Sequence, residues 1–260
     1  MIRMNHGKQY IWMICGTAVL LACALLLPRW SGTSPALASV GEAAQRADEN
    51  AVVATVNGYA VTLKEFKVRM PEQRAETMTY YQQTYGCDPA AASFWSTPCG
   101  GEGEIPQERL KQVTLQLLVE DRVRELAASQ AGLNTAIGYD AFLAEWEEEN
   151  RERAESAAAG KVIYGPRQYS EVAYYRYTVS NTVLGLKEWL TEQDGLPTEE
   201  QLRQEYEDSI ARQPEPPSFE TARDALVQEW TEKRYGRWFA EQVKQAAVEI
   251  DQQVYAGIRL

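Results

Sequence analysis

The sequence predicts a mainly α-helical protein with a small β-sheet, in which an N-terminal hairpin (about 52–61) pairs with a strand near the C-terminus (about 246–251). Three observations predict it. The stretch "VVATVNGYAVTLKEF" reads as strand, turn, strand and helix start within fifteen residues. The long segments that follow carry apolar residues at helical spacing. Near the end, "AAVEID" is strand-like and has no neighbour to pair with. An isolated two-stranded hairpin is marginal in water, so the distant strand is its natural partner.

In chain order, Val52–Val56 is β-rich and Asn57-Gly58 is the strongest short hairpin signal, because a type I′ turn needs positive φ at both central residues. Thr62-Leu63-Lys64-Glu65 reads as a capping box. The Thr62 hydroxyl would accept from the third helical amide, and Glu65 would reach back to the Thr62 amide. The helix runs to about Tyr85, and Pro71 should kink or end it early. "PQERLKQVTLQLLVEDRVRELAASQAGL" is the clearest helix, with Pro106 at its start and Gly132 at its end. Leu110, Leu117, Leu118, Val119 and Leu126 give it a broad apolar face. A helix from about Gly138 to Ala159 follows, with Glu147–Arg151 and Glu149–Arg153 at i,i+4 on a solvated face.

"GPRQYSEVAYYRYTVSNTVLGLKEWL" has a strand-like composition. Tyr175, Val179, Val183, Leu186 and Leu190 nevertheless keep helical spacing over four turns, and length favours a helix. Thr198-Glu199-Glu200-Gln201 is a second capping box, opening a helix to about Ala211. "RQPEPPSF" breaks that helix, and Phe219 to Ala247 forms the last long one. No repeat of solenoid period is present.

Ile11 to Leu27 is seventeen residues without a charge, preceded by Arg3, Lys8 and the amino terminus. It has the length of a minimal spanning helix, with a cytoplasmic tail at 1–10. A flexible Pro/Ser/Gly/Ala-rich linker follows at 28–50, then an extracytoplasmic domain at 51–260. Two other fates stay open. Ala36-Leu37-Ala38 offers a cleavage site that would release a secreted protein, and Leu20-Leu21-Ala22-Cys23 faintly resembles a lipobox.

All 37 acidic residues lie after residue 38, against 23 Lys and Arg there, so the exported part carries a formal −14. That argues against nucleic acid and against direct docking on anionic headgroups. It suits solubility and cationic clients.

Cys87 and Cys99 flank a loop-like insert, "YGCDPAAASFWSTPCGG". Outside the cell they are expected as a disulfide, the alternative being two free thiols. Metal binding is not expected from two Cys and no exported His. The single His, His6, precedes the apolar segment, so no His-based triad or dyad can form in the exported part. H-E-x-x-H, G-x-S-x-G and phosphate-loop motifs are missing too. No catalytic residue and no cofactor is therefore assigned.

Aromatic residues are the remaining resource. Tyr80, Tyr81, Tyr85, Phe94 and Trp95 gather around the insert, and Tyr164, Tyr169, Tyr174, Tyr175 and Tyr177 gather later. Core packing accounts for many of them. A groove for extended apolar polypeptide is the functional alternative, since Tyr and Trp give contact area at low entropy cost. The candidate client-binding set is Tyr80, Tyr81, Tyr85, Phe94, Trp95, Tyr174 and Tyr175.

The opening stretch resembles the start of the SurA/PrsA-type extracytoplasmic foldases, through Val53, Ala54, Val56, Asn57, Gly58, Val61, Thr62, Glu65 and Phe66. "LKQVTLQLLVEDRVRELAASQAGL" is similar to the family's alanine-ended helix, and "LPTEEQLRQEYED" to the short helix before its isomerase domain. "SFETARDALVQEWTEKRYGRWFAEQVKQAAVEID", with Phe219, Ala222 and Tyr235, looks like the closing helix and strand. The resemblance covers roughly 51–133 and 197–256. Only ten residues separate Asp208 from Phe219, too few for a parvulin domain, and the family's His-containing isomerase site has no counterpart in the exported part.

The resemblance thus implies a membrane-anchored, extracytoplasmic chaperone-like protein without its catalytic domain. Its partners would be unfolded or nascent exported polypeptides, with the membrane engaged through 11–27. Peptidyl-prolyl cis–trans isomerase activity by family membership, and a specific envelope interaction protein, are the alternatives.

Overall fold

The computed structural model describes residues 49–133, 135–210, 215 and 217–260. The expected cytoplasmic tail, the apolar segment 11–27 and the linker up to residue 48 lie outside the described residues, as do His6, Cys15 and Cys23. Among the described residues, no helix is long and apolar enough to cross a membrane.

The fold is mainly helical with one three-stranded antiparallel sheet of order β2-β1-β3. Strands β1 (Val52–Val56) and β2 (Tyr59–Thr62) form the hairpin, with Asn57 at φ 51° and Gly58 at φ 84°, as a type I′ turn requires. Strand β3 (Val248–Ile250) pairs with β1, Ala54 opposite Ile250 and Val56 opposite Val248. The turn itself joins this pairing. The Asn57 amide donates to the Ala247 carbonyl, and the Ala247 amide donates to Asn57 Oδ1, both at 2.8 Å. The expected clasp between the two ends of the described chain is therefore present.

The helices follow in the predicted order, with refined bounds. Helix α1 (Leu63–Arg69) stops at a 3-10 turn, Met70–Gln73, because Pro71 lacks an amide donor, and α2 (Arg74–Tyr85) resumes. Helix α3 (Pro106–Gln130) is the spine. Helices α4 (Tyr139–Ala158) and α5 (Glu171–Asp194) meet near their starts, where the Tyr139 hydroxyl donates to Glu171 and Phe142 packs on Tyr174 and Tyr175. Helicity wins over Tyr/Thr/Val composition in α5 because its Leu186–Leu190 face is buried against α3. Helices α6 (Glu199–Ile210) and α7 (Phe219–Gln245) make a second pair. The Thr198 capping box is reciprocal: the Gln201 amide donates to the Thr198 hydroxyl, and the Thr198 amide donates to Gln201 Oε1.

A short helix, α8 (Gln252–Gly257), was not expected from the sequence. Asp251 caps it, accepting from the Gln253 and Val254 amides, and Ile258 after it is buried in the main core. Of the two expected i,i+4 pairs on α4, Glu149–Arg153 forms, whereas Arg151 pairs with Glu148, one residue nearer than Glu147.

The main core joins the buried face of the hairpin (Val53, Ala54, Val56, Val61) to Phe66 of α1 and to Leu110, Leu118, Val119 and Val123 of α3. A second core packs Ala127 and Ala128 of α3 against Leu186 and Leu190 of α5 and Tyr235 of α7. The Cys87–Cys99 disulfide closes the insert over Tyr81 and Phe94. Closing a loop this short stabilises by about 3 kcal/mol in the chain-entropy account.

Asn57 serves the turn twice, by tolerating the left-handed region and by bridging to Ala247. Asn57→Ala should therefore lower stability by about 1–2 kcal/mol. Asn57→Asp, which keeps the acceptor and the conformational tolerance, should lose less. Urea midpoints of the two variants against the parent provide the measurement, and equal losses would show that the side-chain bridge contributes nothing.

Candidate functional site

Between α4 and α5, above α1 and α3, lies a cleft of about 690 Å³. That volume falls within the range of ligand-binding pockets. Its apolar surface comes from Tyr139 and Phe142 on α4 and Tyr174 and Val179 on α5, with Leu133 and Ala136 from the connection after α3. Tyr139 and Phe142 stack with centroids 6.2 Å apart, and Tyr174 tilts against Phe142 at 5.7 Å. Gly185 brings α5 close to this connection; a Cβ there would stand 2.8 Å from a Leu133 methyl.

The base of the cleft is a buried network of charges. Glu65 was expected to reach back to the Thr62 amide. Thr62 does cap α1, accepting from the Glu65 amide at 3.2 Å. The Glu65 carboxylate instead points inward and accepts from Arg122 Nη2 at 3.1 and 3.2 Å. Thr62 is itself the sheet partner of Val52, and Glu65 lies on the buried side of α1 with Phe66 and Arg69, so the carboxylate meets α3 instead of the strand.

Arg122, 1 % exposed, also donates to the Ala60 carbonyl and to Glu125. Glu125 in turn accepts from the Gly138 amide at the start of α4. Nearby, the Tyr175 hydroxyl donates to Asp121 at 2.6 Å, and Asp121 also accepts from Arg124. The Arg69 guanidinium lies 3.6 Å from the Tyr175 ring centroid and donates to Glu72.

Burial outweighs the pull of Arg122 and pushes the Glu65 carboxyl up to about 7. Burial likewise raises Glu125 despite Arg122 and the Gly138 amide. Tyr175 is raised by burial and by the Asp121 carboxylate it donates to. Among the described residues, no cluster of His, Cys, Asp and Glu could hold a metal ion.

The candidate client-binding residues fall in two places. Tyr174 and Tyr175 line the cleft. Tyr81 and Phe94 are buried beneath the disulfide insert, Tyr80 and Trp95 are half-buried beside them, and Tyr85 is exposed at the rim of a shallow hollow with Gly101 and Glu104. Sequence reasoning took Glu65 as a capping residue and gave no role to Asp121, Arg122 or Glu125. A signal existed: Glu65 and Arg122 each stand among apolar residues at helical spacing, Glu65 beside Phe66 and Arg122 between Val119 and Val123.

The geometry defines a class in structural terms, a helical module closed by a strand clasp and carrying an aromatic cleft over a buried charge network. No protein-family model, no curated protein and no solved structure matches the chain.

Glu65 has its raised value only when folded, so the folded protein holds the extra proton between pH 4.5, the ordinary value, and about 7. Its contribution to stability is full below that window and is lost as pH rises through it, by roughly 3 kcal/mol. Glu65→Gln should remove that part of the pH dependence. Denaturant titrations across the window for parent and variant test this, and superimposable pH profiles would overturn it.

Proposed function

We propose that the protein is a chaperone-like module of the SurA/PrsA type, held at the membrane by residues 11–27, which binds segments of unfolded or newly exported polypeptide. The observation that carries the reading is the cleft between α4 and α5, about 690 Å³ and lined by Tyr139, Phe142, Tyr174 and Tyr175. Such a surface accepts varied apolar side chains without demanding one sequence. The connection between α4 and α5 adds to it: Val162 and Tyr164 are 79 % and 86 % exposed, on a loop pinned by Arg153 at the Tyr164 and Pro166 carbonyls. The sequence supports the extracytoplasmic placement, since the apolar segment is followed by a strongly acidic, His-free domain with a Cys pair.

The test is suppression of aggregation of a chemically denatured client by the full chain in detergent micelles or nanodiscs. Protection should rise with the ratio of protein to client. Thr182→Trp, which places an indole in the cleft from α5, should abolish most of it while leaving the helical circular dichroism unchanged. No protection by the folded parent, or full protection by a folded Thr182→Trp, would refute the reading.

A further inference from the structure

The two walls of the cleft differ in charge. The α4 wall presents Glu145, Glu148, Glu149 and Glu152, spaced i, i+3, i+4 and i+7, so they share one helix face. The α5 wall opposite contributes Thr178, Val179, Asn181, Thr182 and Gly185, with no charge. Seven carboxylates line the cleft against two guanidinium groups. Both guanidiniums are engaged at the base, Arg69 with Glu72 and Tyr175, and Arg124 with Asp121.

On the acidic wall, Glu148 and Glu149 have Arg151 and Arg153. Glu145 and Glu152 have no cation within 4 Å among the described residues. Glu145 is half-buried, and burial raises its carboxyl with nothing to offset it. A carboxylate desolvated without a counter-charge gains most from a cation brought by a ligand.

We propose that the cleft selects cationic amphipathic polypeptide, segments in which Lys or Arg alternates with apolar side chains. The apolar side chains lie on the Tyr139–Phe142–Tyr174 surface, and the cations face the Glu145–Glu152 stripe. This rests on the polypeptide-binding reading and deepens it by naming the client chemistry. The formal −14 of the exported part acts in the same direction at long range, drawing cationic segments in and repelling acidic ones.

The experiment uses the full chain in nanodiscs of zwitterionic lipid and three fluorescent peptides with the same apolar residues, whose polar positions are Lys, Glu or Ser. The Lys peptide should bind at least about tenfold more tightly than the Glu peptide, with a preference that shrinks as salt is added. The Glu145→Lys, Glu152→Lys double variant should lose or reverse the preference. The Glu145→Gln, Glu152→Gln double variant, which conserves shape, should weaken it and guards against a folding defect.

Equal affinity for the Lys and Glu peptides, with aggregation suppression intact, would overturn the selectivity and leave the general reading standing. A preference unchanged in both folded variants would overturn the assignment to this wall. No binding of any peptide would overturn both readings.

Discussion

The fold depends on one buried guanidinium. Arg122 sits on the spine helix, 1 % exposed, and bonds to Ala60 on the hairpin, Glu65 on α1 and Glu125 on its own helix. Glu125 then holds the Gly138 amide, so the chain entering α4 is set by the same group. Gly138 suits this position because its φ is 91°, a backbone conformation that L side chains rarely adopt. Removing one member of such a cluster strands a charge in the interior and costs several kcal/mol. The hairpin, α1, the spine helix and the start of α4 thereby share one reference point, and the cleft above it inherits their geometry.

The clasp was legible in the sequence because its signals are local and strong. Asn57-Gly58 dictates the turn, and "AAVEID" offers the only spare strand. The long helices were legible from their apolar periodicity. The charge network was not, because periodicity assigns charged residues to solvent. On α3, Lys111, Thr114, Asp121 and Arg122 are all buried, each with a partner: Thr114 bonds the Leu110 carbonyl, and Lys111 pairs with Glu108 below the Tyr255 ring. Partner identity is tertiary information, and the pairings of Arg122 with Glu65 and of Asp121 with Tyr175 span 57 and 54 residues. Helix α8 was missed for the opposite reason, being too short to show a period.

Composition does not separate the aromatic residues, since the same residue type stands in two different settings. Around the insert, Tyr81 meets Phe94 edge-on at 6.0 Å and Arg109 stacks on Tyr80 at 3.6 Å, so these rings fill space beneath a disulfide-closed loop. Around the cleft, Tyr174 and Tyr175 have one side on the core and the other toward the opening. Adjacent positions on a helix point about 100° apart, which lets Tyr175 reach down to Asp121 while Tyr174 packs against Phe142.

Cleft and clasp are joined through the same side chains. Arg69 and Tyr175 border the cleft, Tyr175 holds Asp121, and Glu65 borders the cleft while binding Arg122 beneath the hairpin. The base of the cleft is therefore not a passive surface that tolerates any charge. Burial already strains Glu65 and Glu125 toward the neutral form. A further negative charge brought into the cleft would deepen that strain, whereas a cation would relieve it. The residues that make the module fold thus bias what the cleft can hold, and in the same direction as the glutamate stripe on α4.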